Sequence, residues 1–498
     1  MPRTHGALVL VLLVLLLAPI ASADPSIALL SVPSPGSTQD WVAGVVEGAV
    51  PADWCVVLYI QVDGLWWGPK PTWAEPLTPI RSDGFWNATF ATGGNDLAAT
   101  RFTAYLVPLN AVEESVPPAL AGAPSLPAAL DAFPCDERAR ATPVYRAAPS
   151  FARNGTDLVG LCVGPYLDGE RPGVTILSTA TLHDRLAVVA PRATWLRSYG
   201  VDGGLERFGS IVHALGRKAA VGAWLTTDPT ANRRALLALV ECGRAGDADL
   251  LIVGSECLIR GDLSERDLAA CLEWVRREVP GVPVATADGY AELLAHPAVV
   301  EASDILVVHV YPFWEGVDVA AAPARTVTAW ESVTALAGGR TVVIGELGWP
   351  DAGGPRDQAV PSAENAKRYL HETMALLEAR GVPYFYFAAF DEAWKTAEPG
   401  GVGPHWGLWT GDLVLKPGRL PPPSSLLQLP GGMDRPNDLD GDGLVEDVNG
   451  NRRTDFADVV LFFNQMDWIT GNEPVGAFDW NGNGRIDFAD IVRLFVVL

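Results

Sequence analysis

Leu250-Leu251-Ile252-Val253-Gly254-Ser255-Glu256 is a strongly apolar run of β type that ends on a carboxylate. About ninety residues on, Thr341-Val342-Val343-Ile344-Gly345-Glu346-Leu347-Gly348-Trp349-Pro350 repeats the arrangement, with Glu346 in the role of Glu256. A charge at the end of a buried strand is expensive unless something there uses or compensates it. One such glutamate would serve as readily as a helix cap or an ion-pair partner. Two of them, in matching settings on different strands, read as a working carboxyl pair.

Outward from these two strands, residues 155–416 alternate strand and helix eight times. The strand-like runs are Leu158–Tyr166, Trp195–Tyr199, Ala219–Leu225, Leu250–Glu256, Val282–Ala287, Ile305–Pro312, Thr341–Glu346 and Tyr384–Asp391. Helix-period segments such as Glu206–Leu215, Thr230–Arg244, Glu265–Val279 and Ala363–Arg380 separate them. Eight βα units in about 250 residues is the size of a (β/α)8 TIM barrel. Functional groups in that fold sit at the C-terminal ends of the strands, so Glu256 on the fourth and Glu346 on the seventh would face one pocket. Two carboxyl groups across a pocket are what cleavage of a glycosidic bond requires.

A chain of 498 residues holds more than one domain. Residues 1–23 read as a secretory signal: Arg3, an apolar run from Ala7 to Leu17, and Ala21-Ser22-Ala23 as the cleavage site. That run is too short to span a bilayer of ~30 Å, and no later segment is long enough either. The expected product is exported, soluble or held at a cell surface by other means. Residues 24–120 alternate short apolar runs with Pro/Gly turns, the pattern of an antiparallel β-sandwich. Trp66, Trp67, Trp73 and Trp86 in this module suit core or edge packing, or stacking on sugars. Residues 121–154 and the proline-rich 417–434 read as linkers. The formal charge of −23 argues against nucleic-acid partners. Cys55 and Cys135 are candidates for a bridge, whereas Cys162, Cys242, Cys257 and Cys271 are as well explained by buried thiols. No CxxC pair points to zinc. Asn87-Ala88-Thr89 and Asn154-Gly155-Thr156 are glycosylation sequons.

Residues 435–498 form a third module, in which thirteen Asp/Glu face five Arg from 434 on. It contains a duplication. Asp447, Asn449, Asn451, Asp455 and Asp458 recur 32 positions later as Asp479, Asn481, Asn483, Asp487 and Asp490. Oxygen side chains at loop positions 1, 3, 5, 9 and 12, followed by a helix, are the EF-hand spacing for Ca²⁺. The first loop has Arg452 where the sharp-turn glycine belongs, and an extra acidic run from Asp438 to Gly443 precedes it. Expected helices follow at Val459–Asn464 and Ile491–Val496. The alternative is a solvated acidic tail of Asp/Asn turns.

The central region resembles glycoside hydrolase family 17, the β-1,3-glucanases and related glucan-active enzymes. The resemblance rests on six blocks in order: Gly164-Pro165-Tyr166, Val253-Gly254-Ser255-Glu256, His309-Val310-Tyr311-Pro312-Phe313, Gly345-Glu346-Leu347-Gly348-Trp349-Pro350, Phe390-Asp391-Glu392-Ala393-Trp394-Lys395 and His405-Trp406-Gly407-Leu408-Trp409. It implies a retaining reaction with Glu256 as acid/base and Glu346 as nucleophile, their carboxyl groups ~5–5.5 Å apart. The acid role calls for a raised Glu256 pKa, from burial and the Glu346 charge. Tyr311 would donate to Glu346 and Arg197 would hold it charged. Tyr166, Ser255, Trp314, Trp349, Glu392, Lys395 and Trp406 would contact sugar, and Trp394 and Trp409 lie in similar loops. Ser255 departs from the family asparagine that contacts the sugar 2-hydroxyl. Some relatives transfer glucan to another sugar, and a non-catalytic carbohydrate-binding protein is the rival from another class. The tail resembles a dockerin, which implies structural Ca²⁺ and a cohesin-type protein partner on another chain. The substrate implied is β-glucan, with no cofactor for catalysis.

Overall fold

The computed structural model describes residues 24–112, 118–153, 156–420, 426–439, 443–483 and 485–497. The signal segment, the sequon residue Asn154, Pro421–Pro423 and Asp440–Asp442 lie outside them. Two units emerge, one comprising residues up to Pro33 and Asp40–Arg140, the other Ser34–Gln39 and Ala141–Leu498.

Among its described residues the first unit contains nine strands: β1 (Ser26–Ser31), β2 (Trp41–Glu47), β3 (Trp54–Val62), β4 (Leu65–Lys70), β5 (Thr78–Pro79), β6 (Phe85–Thr89), β7 (Arg101–Pro108), β8 (Leu120–Ala123) and β9 (Cys135–Ala139). They build a three-stranded sheet β1-β2-β6 and a larger one ordered β8-β4-β3-β7-β9, with β5 on β3. Pairing within both is antiparallel. Alternation on β3 and β7 decides the layering. Val56, Leu58, Ile60, Phe102, Ala104 and Leu106 share a core with Ile27, Leu29, Val42 and Trp86 of the smaller sheet. The opposite face, Cys55, Val57, Tyr59, Tyr105 and Val107, is equally apolar and needs its own cover. Leu120, Leu126, Leu130 and Phe133 supply it. The stretch read as a linker from residue 121 therefore belongs to this unit as far as Arg140. Trp66 and Trp86 are buried, whereas Trp67 and Trp73 are exposed.

Cys55 and Cys135 do not bridge, and all six cysteines are free thiols. Cys55 pairs with Val107 and Cys135 with Tyr105, so β7 runs between them. Two strand spacings of ~4.8 Å exceed the Cα separation that a disulfide tolerates.

In the second unit, β10 (Leu158–Cys162), β11 (Ala193–Arg197), β12 (Lys218–Ala223), β13 (Leu250–Ser255), β14 (Val284–Gly289), β15 (Leu306–His309), β16 (Val342–Leu347) and β17 (Tyr384–Tyr386) close a parallel barrel. Leu161 against Tyr386 seals the last strand to the first. The intervening helices start where side chains cap them. Ser178 accepts from Thr181, Asp228 from Thr230 and Ala231, Ser264 from Asp267, and Ser362 from Asn365. Gly246, at φ 78°, ends the helix Pro229–Ala245.

The C-terminal helices, Phe456–Asn472 and Phe488–Val497, start earlier and run longer than the sequence suggested. They close on a separate core of Leu426, Leu429, Val445, Val448, Phe462, Phe478, Ile491 and Leu494. The second linker is thus partly built in: Arg419 pairs with Asp351 of the barrel, while Leu426 and Leu429 enter the tail core. No helix among the described residues is long and apolar enough to cross a membrane.

Candidate active site

Glu256 stands one residue beyond β13. A register shift between Ile252 and Ser255 precedes it, and its own backbone sits at φ 57°. A non-glycine residue in that region is strained, and the bulge re-aims the side chain into the barrel mouth. Glu346 lies inside β16 beside two further register shifts, opposite His309 and before Leu347. One carboxylate oxygen of each glutamate and a ring nitrogen of His309 all lie within 4.8 Å of one another. The two strands read from the sequence therefore do converge on one pocket.

Glu346 is 6% exposed and heavily supported. Tyr199 donates to Oε1 at 2.8 Å and Tyr311 to Oε2 at 2.6 Å. Arg197 Nη1 is 3.3 Å from Oε1, and Arg197 is fully buried. Arg197 and Tyr311 thus take the places the resemblance implied. Burial first, then the Glu346 charge, pushes the Tyr311 hydroxyl well above its ordinary range, so it remains a donor. Arg197 also donates to Gly345 O at 2.6 Å and to Ser255 Oγ at 3.1 Å. Ser255 therefore spends its oxygen on the guanidinium.

The expected rise in the Glu256 pKa is not met. Burial pushes the carboxyl up, but His309, through its hydrogen bond and its electrostatic pull, and then Arg260 and Arg197 outweigh it and hold it below the ordinary range. His309 Nδ1 is 2.9 Å from Glu256 Oε1, and Nε2 is 3.2 Å from Glu346 Oε1.

The proposed sugar contacts divide. Buried Glu392 and half-buried Lys395 form an ion pair at 2.6 Å. Burial raises the Glu392 pKa against the pull of Lys395, and Glu392 packs directly over Gly164 of the first block. Trp394 is exposed and Trp314 half-buried. Trp406 is almost fully covered, edge-on to Tyr311 at 5.4 Å, with its N–H on Glu398. Trp349 does not line the cleft. Its N–H is bonded to Val360 O, its ring packs on Phe313 and Tyr369, and it is 1% exposed, so it is core. Trp409 and Tyr166 are buried as well.

Sequence reading missed His309, Tyr199 and Trp224. Alternation would have found two of them, since His309 precedes Tyr311, and Tyr199 follows Arg197, by two positions on the same face. Trp224 follows the last residue of β12, is exposed, and carries the Arg260 guanidinium over its ring at 4.2 Å.

The tail loops share a set of hydrogen bonds. The amides of Asn449 and Asp455 donate to Asp458, as those of Asn481 and Asp487 do to Asp490. Asp447 and Asn449 accept from the Asn451 amide, as Asp479 and Asn481 do from that of Asn483. Arg452 adopts the turn conformation at φ 67° despite its side chain. Asp447, Asp458 and Asp490 are fully buried, and no ion pair among the described residues reaches them.

Comparison with known proteins bears on the barrel. Residues 160–407 match the family model of the BtgE/BtgC glycoside hydrolase domain. The chain is 30% identical over 235 residues to a glucan 1,3-beta-glucosidase of Saccharomyces cerevisiae, covering 43% of this chain and 75% of that protein. It is 30% identical over 274 residues to a glucan 1,3-beta-glucosidase of Arthroderma benhamiae, covering 50% of this chain and 87% of that one. A solved family 17 beta-1,3-glucanosyltransferase of Rhizomucor miehei superposes with a TM-score of 0.48 at 30% identity, over 53% of this chain and 97% of that one.

Proposed function

We propose that this chain, which belongs to glycoside hydrolase family 17 through a BtgE/BtgC-type catalytic domain, cleaves β-1,3-glucan in two steps with retention at the anomeric carbon. The observation that carries this reading is the approach of Glu256 and Glu346 oxygens to within 4.8 Å. Inverting enzymes hold their carboxyl groups ~6.5–9.5 Å apart to admit a water, so this close approach supports retention.

In the first step a Glu346 oxygen bonds to the anomeric carbon while the bond to the leaving oxygen breaks. Glu256 gives its proton to that oxygen. In the second, Glu256 takes a proton from water, the water oxygen bonds to the same carbon, and Glu346 leaves as a carboxylate. Tyr199, Tyr311 and Arg197 fix Glu346 in the line of attack. Sugar entering the cleft displaces water from Glu256, which raises its pKa from the low value of the free site toward that of an acid.

For the tail, the fit with Ca²⁺ is supported by buried Asp447, Asp458 and Asp490, which no ion pair reaches among the described residues, and by oxygen side chains at the EF-hand positions. The ion would be held by Asp447, Asn449, Asn451, Asp455 and Asp458, and by Asp479, Asn481, Asn483, Asp487 and Asp490. Its chemistry there is charge neutralisation that fixes the loops. A dockerin-type module of this kind would attach the secreted enzyme to a cohesin-type partner.

The test is product analysis by NMR on a linear β-1,3-glucan with Ca²⁺ present, alongside Glu346→Gln. Short sugars whose new ends are initially β support a retaining hydrolase, and the variant is expected to lose turnover by a factor of about a thousand or more while still binding glucan. Longer or newly linked products would move the reaction to transglycosylation. Binding without turnover in the unmodified protein would overturn the enzymatic reading.

A further inference from the structure

The two catalytic carboxylates are joined by a third residue. His309 is almost fully buried at the end of β15, with one ring nitrogen on each glutamate. Which nitrogen carries the hydrogen follows from Arg197. Its Nη1 is 3.0 Å from His309 Nε2 and has only hydrogens to offer. A hydrogen on Nε2 would set donor against donor beside a permanent positive charge. Nε2 also lies 3.2 Å from Glu346 Oε1, but without hydrogen-bond alignment, so Nε2 accepts from Arg197 and the ring N–H lies on Nδ1, aimed at Glu256 Oε1 2.9 Å away.

We infer that His309 is a positioning residue for the acid/base: held by Arg197 on one side, it binds Oε1 of Glu256 and leaves only Oε2 to carry the proton to and from the reacting oxygens. The inference rests on the glycosidase reading. As the Glu256 Oε2–H bond breaks and its proton passes to the leaving oxygen, negative charge appears on the carboxylate, and the Nδ1–H is already in place to meet it. A hydrogen bond to a carboxylate is roughly twice as strong as one to a neutral acid, so the interaction grows along the reaction coordinate. The same bond favours loss of the proton in the free enzyme, which moves activity toward acid pH. Other charged groups act on this assembly: Arg197 from β11, Arg260 from the loop after β13, Asp288 from β14, Glu346 from β16 and Glu398 from the loop after β17.

The experiment compares the full-length enzyme with H309F, which keeps a ring but no N–H, and H309N, whose amide N–H falls near the Nδ1 position. Two substrates are used: linear β-1,3-glucan, and a dinitrophenyl β-1,3-gluco-oligoside whose leaving group needs no proton. For H309F, kcat on glucan is expected to fall about a hundredfold with little change in KM. The pre-steady-state burst of dinitrophenolate should stay within a few-fold of the parent, and the alkaline limb of kcat/KM on glucan should move to higher pH. H309N should recover about tenfold of the loss. If H309F does not fold, H309Q, whose amide reaches only the Nε2 position, replaces it with the same expectation. Equal losses on both substrates, an unmoved pH limb, or an H309N no better than H309F would overturn the inference while leaving the glycosidase reading intact. An unmodified enzyme inactive on both substrates would overturn that reading itself.

Discussion

Ser255 supports the site through Arg197. Its hydroxyl is buried and accepts from Nη2 of Arg197, the guanidinium whose Nη1 steadies Glu346. Ser255→Ala would leave a buried N–H without its acceptor, a loss of about 1–3 kcal/mol. Part of that should appear as a looser Glu346. The expected result is a fall in kcat on β-1,3-glucan of about tenfold, with a shift in melting temperature of only a few degrees. Steady-state kinetics and thermal melts on the same preparation check this, and unchanged kcat would separate Ser255 from catalysis. The two glutamates, Arg197 and Tyr311 were legible because each stands on or beside an apolar strand, where a charge or hydroxyl is conspicuous. His309 was quoted in a block yet given no role, because histidine beside a strand is ambiguous until its two nitrogens are seen to meet two different carboxylates. Trp349 was misread for the opposite reason. A loop position after a strand says nothing about which way a ring folds, and this one turns under Phe313.

All eight barrel strands were legible as elements, since each is a short apolar run set off by helical periodicity. What escaped were elements whose side chains carry no such signal. β9 is Cys-Asp-Glu-Arg-Ala, largely exposed, and it exists because β7 has an open edge. The register shifts that aim Glu256 and Glu346 are equally silent in sequence, apart from a glycine just before each. Gly164 shows what one element-end residue controls. A Cβ there would lie 2.1 Å from Glu392 Oε1, well inside contact distance. Gly164→Ala should therefore push Glu392 off Lys395, its partner at 2.6 Å, and disturb the cleft beside β17. We expect weaker glucan binding, a several-fold rise in KM at least, with the smaller part of the effect in kcat. Oligosaccharide titration of the variant checks the assignment, and wild-type affinity would remove Glu392 from the binding surface.

At the scale of the molecule, the tail has its own core and its own pH response, so it should come apart from the barrel in experiment. Burial, with neighbouring carboxylates adding, raises the pKa of Asp458 and of Asp490 above the ordinary aspartate value despite their backbone hydrogen bonds. Exposed Asp487 shifts the other way, led by the Asn483 side chain. For the two buried groups the folded state binds protons more tightly than the unfolded one. Stability from them is thus fully present below about pH 3.9 and is lost as pH rises through the raised folded values. Without metal, the tail should melt at a lower temperature at pH 7 than at pH 4. Calcium bound to the deprotonated carboxylates, as proposed, should reverse that order, so that at pH 7 the tail transition is expected to rise with Ca²⁺ and to collapse with chelator. Trp468 and Trp480 pack against the tail core and give near-ultraviolet circular dichroism a local probe. Both proposed catalytic glutamates belong to the barrel, so glucan turnover at moderate temperature should survive chelation while the tail signal is lost. Parallel loss of both would mean that the barrel depends on the tail, through the Asp351 anchor or the apolar residues between them. A tail transition indifferent to calcium at pH 7 would remove the metal and leave the buried aspartates to be explained by protonation alone.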